Sequence, residues 1–192
     1  MNTEKIDRYI KLLLEWNNKI NLIGKSTIDD IYNRHIKDST QLLKFFTEEE
    51  INKKTFADLG TGAGIPGIIL SLSGIKNITL IEKSIQKCNF LREASKLSDN
   101  NIRILNKDIY KIKTLKFDII VSRALANLTE LLDMSIGLVK PTSKCYFLKG
   151  RKYLEELEEA KKHYNFNVEI FNSETSDEGK VLLITNIKKI IK

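Results

Sequence analysis

The stretch Asp58-Leu59-Gly60-Thr61-Gly62-Ala63-Gly64-Ile65-Pro66-Gly67 sets a carboxylate two residues ahead of glycines at alternating positions. Glycines so spaced let a chain leaving a strand turn tightly and bring bare backbone up to a ligand. A dinucleotide loop uses G-x-G-x-x-G and rests a pyrophosphate on the helix that follows. Here the spacing is G-x-G-x-G, and Asp58 would repel a pyrophosphate. A carboxylate there suits a ligand with a positive group, such as the amino group of S-adenosylmethionine. The same glycines also make an ordinary tight turn, so the loop alone leaves both readings open.

Three further stretches carry chemistry. Glu82 stands 22 residues past Gly60 (82 − 60), close to where a nucleotide-binding unit keeps the acid that bonds a ribose. Asn106-Lys107-Asp108-Ile109 follows the next apolar run. Asp108 there is either an acceptor for an adenine amino group, with Ile109 lining the ring, or a polar residue of a plain turn. Val121-Ser122-Arg123-Ala124-Leu125 lacks the Asp or Asn followed by Pro-Pro that grips an amine, and it lacks a cysteine for attack on a pyrimidine carbon. Guanine N7 needs neither, because it already holds a lone pair and asks only to be oriented. The fork of Arg123 matches guanine N7 and O6, which makes it the candidate catalytic residue, in substrate positioning. Its competing role is a salt bridge.

Alternating strands and helices must position these groups. Strands are expected over Phe56–Leu59, Ile78–Glu82, Ile102–Leu105, Phe117–Ser122 and Lys144–Leu148. Helices are expected over Pro66–Leu72, Ile85–Leu97, Thr129–Leu138 and Tyr153–Tyr164. Val168–Phe171 and Val181–Ile187 follow with no helix between them, which predicts an antiparallel hairpin. The fold class is thus α/β, a mostly parallel Rossmann-like sheet with a C-terminal antiparallel hairpin, the order of a class I S-adenosylmethionine-dependent methyltransferase. Arg123 and Lys149, the latter leading into Gly150-Arg151-Lys152, reach the same rim as the glycine loop.

Two amphipathic helices precede the sheet, Ile6–Leu22 and about Thr27–Phe46, the second capped by Ser26 or Thr27. Residues 1–50 form this small helical element and 51–192 the core. Trp16-Asn17-Asn18-Lys19-Ile20-Asn21-Leu22 either receives a base through its ring and amides or simply ends a helix. Arg34, His35 and Asp38 share one helical face and are either a polar site or an Arg–Asp pair.

Composition bounds the rest. The 192 residues, 42% hydrophobic, support one buried α/β core with a small attached element and leave little room for two separate enzymatic domains. No apolar run approaches a membrane span, and Met1–Gly24 is too charged for a signal peptide, so a cytoplasmic protein is expected. Cys88 and Cys145 have no metal spacing and read as buried thiols; with two histidines, no metal site is expected. Thirty-two basic against 25 acidic side chains leave a charge of +7, compatible with a polyanion partner. Lys, Ile and Asn are all heavily used, as an AT-rich genome would favour, so base composition is the competing source of part of that excess.

Taken together, Trp16–Leu22, Arg34-His35-Ile36-Lys37-Asp38-Ser39, the glycine loop, Ser122-Arg123-Ala124 and Leu148-Lys149-Gly150 resemble one family, in that family's order. It is the RsmG (GidB) family of bacterial 16S ribosomal RNA guanine-N7 methyltransferases. The resemblance implies S-adenosyl-L-methionine as cofactor and contacts to it at Gly60, Ile65, Asp108, Ile109 and Arg123. Asp58, Gly62, Gly64 and Glu82 complete the expected cofactor set, although relatives often carry Asp where this chain has Glu82. It shifts Asn18, Asn21, Arg34 and His35 towards RNA contact, with Lys149 and Arg151 beside them. The implied partner is ribosomal RNA or a small ribosomal subunit particle, bound by a monomer without a membrane. A small-molecule methyltransferase and a non-catalytic RNA-binding module are the alternatives.

Overall fold

A computed structural model describes residues 3–191. Its strands are β1 (Phe56–Leu59), β2 (Asn77–Glu82), β3 (Asn101–Asn106), β4 (Phe117–Arg123), β5 (Val139–Lys149), β6 (Tyr164–Asn172) and β7 (Lys180–Lys189). They form one seven-stranded sheet in the order β3-β2-β1-β4-β5-β7-β6. β1 to β5 run parallel, and β7 is antiparallel to both β5 and β6, the expected hairpin. The strand order reverses around β1, and open α/β sheets take ligands outside the strand ends at such a point.

Covering both faces of the sheet explains the continuous apolar runs. One buried cluster joins Phe56, Leu80 and Val121 to Ile6, Tyr9, Leu13, Ile36 and Leu42 of the N-terminal segments. The other joins Ala57, Leu59 and Phe147 to Leu128, Leu132 and Leu157. These last belong to α6 (Leu128–Ile136) and α7 (Tyr153–Lys161). Because strand side chains alternate, Asp58 lies on the Phe56 side, under the N-terminal helices.

The N-terminal element departs from two uniform helices. α1 (Thr3–Asn17) stops five residues short of the expected Leu22. Asn17 Oδ1 accepts the backbone N–H groups of Leu22 and Ile23, both at 2.9 Å, and so competes with continuation of the helix. Trp16 is half-buried and stands edge-on to Phe90 at 5.8 Å, packed against the core. The expected Thr27–Phe46 helix is broken into a 3₁₀ turn (Lys25–Thr27), a π turn (Tyr32–Lys37), the single turn α2 (Asp38–Thr40) and a 3₁₀ segment (Gln41–Phe45). The reason is tertiary. Arg123 takes the carbonyl of Arg34 at 2.7 Å, and the Ser39 hydroxyl donates to that of His35 at 2.6 Å, so the ladder widens there. Thr27 makes no cap and donates to Gly24 O at 2.7 Å.

An additional helix, α3 (Glu48–Lys53), occupies the acidic stretch. Thr47 and Glu50 close a capping box over its start, with bonds of 3.2 and 2.9 Å. α4 (Gly67–Leu72) follows the glycine loop and α5 (Ile85–Ser95) follows β2.

Candidate functional site

The glycine loop is wound over Asp58. Gly60, Gly62 and Gly64 have φ of +62°, +57° and +80°, a region that other residues enter only with strain. The fully buried Asp58 carboxylate holds the loop through Oδ2, which accepts from Thr61 Oγ1 at 2.5 Å and from Gly67 N at 2.8 Å. Its other oxygen, Oδ1, is buried without a hydrogen-bond partner. Burial pushes the Asp58 acid up to about 7, against the hydrogen bonds from Thr61 and Gly67 and the charge of Arg123. Such a group is stabilised by a cation, so the donor set fits the ammonium of an amino-acid-bearing cofactor. Tyr9 of α1 closes the loop from above, donating from its hydroxyl to Ala63 O at 2.7 Å.

Beside the loop lies a cleft of about 350 Å³. Gly60, Glu82, Asp108 and Ile109 line it, and so do Tyr110, Ala124 and Leu125. Glu82 Oε2 accepts from Gly62 N at 3.1 Å and Oε1 from Ser84 N at 2.8 Å, which fixes the carboxylate at the β2 terminus. Asp108 Oδ1 accepts from Tyr110 N at 3.0 Å and starts a 3₁₀ turn. Leu125 covers Gly60 so closely that a Cβ on the glycine would meet its Cδ1 at 2.3 Å. Asp58, Gly64 and Ile65 lie beneath this surface, within the packing of α4. A Cβ on Gly64 would strike Ile68 at 2.3 Å, and Ile65 is buried in the core.

On the other side of Ala124 opens a second cleft, of about 420 Å³. Arg34, His35, Arg123 and Lys149 line it together with Thr175 and Lys180. Ala124 borders both clefts and has φ +50°, so the chain turns sharply where they meet. Ser122 Oγ donates to Leu59 O at 2.9 Å and ties the end of β4 to the end of β1 just before that turn.

Arg123 is anchored by the N-terminal segment. Nη1 donates to Arg34 O at 2.7 Å and to Asp38 Oδ2 at 3.1 Å, and Nη2 meets His35 Nδ1 at 2.8 Å. Burial and the neighbouring Arg123 and Arg34 hold the His35 imidazole down to about 4, so the ring is neutral near pH 7. Its Nδ1 therefore accepts from Arg123 while Nε2 donates to Thr27 Oγ1, 2.9 Å away. Asp38 Oδ1 in turn accepts from Thr175 Oγ1 and Gln41 Nε2, both at 2.8 Å, which joins the β6–β7 loop to the same cluster. Both roles weighed for Arg123 are compatible with this position, but its fork is already committed to protein acceptors.

The remaining sequence candidates scatter. Lys149 Nζ donates to Ala126 O at 2.8 Å and pairs with Glu156 at 2.6 Å, pinning the loop after β4. Arg151 is exposed in the turn before α7, and Asn18 and Asn21 are exposed after α1, outside both clefts. Both cysteines are buried and free, and burial raises Cys145 to about 12. Sequence reasoning missed Tyr9, Leu125 and Thr175, each of which contributes through a partner far away in the chain, and Thr27, whose hydroxyl meets His35 eight residues on.

Known proteins resemble this chain along nearly its whole length. A family model described as GidB, rRNA small subunit methyltransferase G, matches residues 2–181. The protein named ribosomal RNA small subunit methyltransferase G from Rickettsia rickettsii (strain Sheila Smith) is 40% identical over 188 residues, 98% of this chain and 96% of that one. Its namesake from Rickettsia prowazekii (strain Madrid E) is also 40% identical, with the same coverage of 98% and 96%. Among solved structures, magnesium protoporphyrin IX methyltransferase from Synechocystis PCC 6803 with bound SAM superposes with a TM-score of 0.62. It is 11% identical, over 92% of this chain and 95% of that one. Ribosomal protein L11 methylase from Lactobacillus delbrueckii subsp. bulgaricus gives 0.62 at 20% identity, over 77% and 76%. The fold is the Rossmann-like methyltransferase fold expected from the order of strands. With nearly the whole chain covered by one family model, this protein belongs to the GidB family, rRNA small subunit methyltransferase G.

Proposed function

We propose that this chain transfers a methyl group from S-adenosyl-L-methionine to N7 of a guanine in 16S small-subunit ribosomal RNA. The observation that carries this reading is the meeting of two clefts at Ala124, one walled by the glycine loop and Glu82, the other by Arg34 and Lys180 beside the Arg123–Asp38 and Lys149–Glu156 pairs. When bound, the cofactor supplies a methyl group activated on a sulfonium. Gly60, Glu82, Asp108 and Ile109 line the cleft that would hold it, with the buried Asp58 carboxylate beneath the glycine loop as a counter-charge, and Arg34, Lys180 and the backbone at Ala124 would orient the RNA. Arg123 acts by fixing the β4 terminus against the N-terminal segment. Ring-nitrogen attack needs no deprotonated nucleophile, which agrees with two buried, protonated thiols and with a histidine whose nitrogens are both engaged.

The protein is proposed to work as a cytoplasmic monomer on ribosomal RNA or the small-subunit particle. No described helix is long and apolar enough to cross a membrane. The test is transfer of labelled methyl to small-subunit RNA from cells lacking this activity. Label on N7 of a guanine is expected. Label on another position, or on metabolites and not RNA, contradicts the proposal.

A further inference from the structure

The exposed side of the sheet beside the cofactor cleft is strongly cationic. Residues 101–116 contain Arg103, Lys107, Lys111, Lys113 and Lys116 against a single acid, Asp108. Arg103, Lys107, Lys111 and Lys113 line one shallow groove, and no acidic residue borders it. Lys107 also lines the cofactor cleft, together with Lys83 and Lys87. Among the described residues, none of Lys83, Lys87, Arg103, Lys107, Lys111 and Lys113 makes an ion pair. Elsewhere lysines pair readily, as with Lys140–Asp118, Lys144–Glu50, Lys149–Glu156 and Lys189–Asp133. Cations without an ion pair also stand elsewhere, Lys11, Lys25 and Arg151 among them, but these six crowd one groove and the adjoining cleft, which share Lys107.

β3 is the outer strand of the sheet, paired only with β2. Charges on an edge strand guard against pairing with another chain, and Arg103 alone would need no other explanation. An edge guard needs only a charge on the strand itself, however, and here the groove gathers four cations, three of them beyond the end of β3. The face is also continuous with the reaction centre: Lys107 is shared by groove and cofactor cleft, and Ala124 by cofactor cleft and substrate cleft.

We infer that this face is a second RNA-backbone surface, on which Arg103, Lys107, Lys111 and Lys113 neutralise phosphates of RNA flanking the target guanine. The inference rests on ribosomal RNA being the substrate. Phosphate contacts of this kind set register without reading sequence, and they make affinity fall with salt. RNA held here crosses the mouth of the cofactor cleft before reaching Ala124.

Charge reversal separates the two roles, since glutamate still guards an edge but repels phosphate. Arg103 and Lys113 lie outside the cofactor cleft, so Arg103→Glu with Lys113→Glu spares cofactor binding. Binding of small-subunit RNA would be measured across a salt series, with S-adenosylmethionine affinity by calorimetry. The expected result is an RNA Kd raised at least about tenfold and a log–log salt slope shallower by about 1.5, from two lost contacts, with cofactor affinity unchanged. Arg103→Gln with Lys113→Gln should fall between, and a thermal melt reports whether either variant is folded. RNA affinity and slope equal to wild type in a folded double variant would overturn the inference. So would loss of binding to phosphatidylglycerol vesicles with RNA binding intact. Wild-type protein that binds RNA through this face yet methylates none would leave the surface standing and contradict the proposed function instead.

Discussion

The Arg123 guanidinium and the His35 imidazole meet at 2.8 Å, and the neutral ring accepts through Nδ1. One residue ends β4 and the other belongs to the N-terminal segment, so this contact couples the sheet to the wall of the substrate cleft.

That coupling has a pH dependence of known sign. The His35 pKa is about 4 in the folded protein and near 6.5 when unfolded, so the unfolded chain binds the proton first. Its contribution is complete above pH 6.5 and is lost as pH falls towards 4. Urea unfolding should show wild type losing about 1–2 kcal/mol more than His35→Asn between pH 7 and pH 5. Asn still offers an acceptor to Arg123, so His35→Asn should retain more methyl transfer than His35→Ala at pH 7.

Asp58 titrates in the opposite sense. Its folded pKa is about 7, above the unfolded value of 3.8, so its contribution is present below pH 3.8 and is lost as pH rises through 7. A cationic ligand beside Oδ1 favours the carboxylate, so cofactor binding should release a proton near pH 7 and tighten from pH 6 to pH 8. Calorimetry in buffers of different ionisation enthalpy measures that proton. Asp58→Asn should flatten the dependence and weaken affinity by about 10- to 100-fold, the scale of a hydrogen bond to a charged group.

Replacing Arg123 strands a carboxylate. Its side chain and that of Asp38 are 18% and 17% exposed, and Arg123→Ala leaves Asp38 without its charge partner. A loss of about 2–4 kcal/mol is expected in denaturant unfolding, with reduced turnover. Arg123→Lys should recover less than half of this, because an ammonium does not reproduce the fork that spans Arg34 O, Asp38 and His35.

Gly60 is constrained twice. Gly60→Ala adds strain at φ +62° of about 1–2 kcal/mol and drives its Cβ to 2.3 Å from Leu125. Adding Leu125→Ala should relieve the clash and leave the backbone cost. Thermal melts should therefore show partial recovery in the double variant, with cofactor affinity below wild type in both.

Tyr9→Phe removes the hydroxyl that donates to the buried carbonyl of Ala63. A cost of about 1–3 kcal/mol is expected, with weaker cofactor binding in calorimetry because the glycine loop loses its cover.

The parts of this molecule visible in the sequence are those set by local pattern. Phe56–Leu59, Phe117–Ser122 and the closing hairpin follow from apolar runs and turn spacing, and the loop after Asp58 from its glycines. Thr47-x-x-Glu50 is an equally local signal for α3, since a capping box is legible from residue types and spacing alone. What local pattern lacks is the destination of a side chain. Asp38, Arg123 and Thr175 are separated by up to 137 positions yet share one carboxylate, and no periodicity encodes that meeting. The same contacts widen the helical turn at Tyr32–Lys37, so a tertiary demand overrode an amphipathic pattern. Lys149 illustrates the limit on charge reading: it lies on the expected rim, but its ammonium is spent on Glu156 and Ala126.

The most direct test is to incubate the protein with small-subunit RNA and S-adenosylmethionine, digest the RNA to nucleosides, and identify the methylated product by mass spectrometry. The account predicts 7-methylguanosine, diminished when Asp58→Asn replaces wild type. Methylation of a base carbon, of an exocyclic amine, or of no nucleoside at all would contradict it.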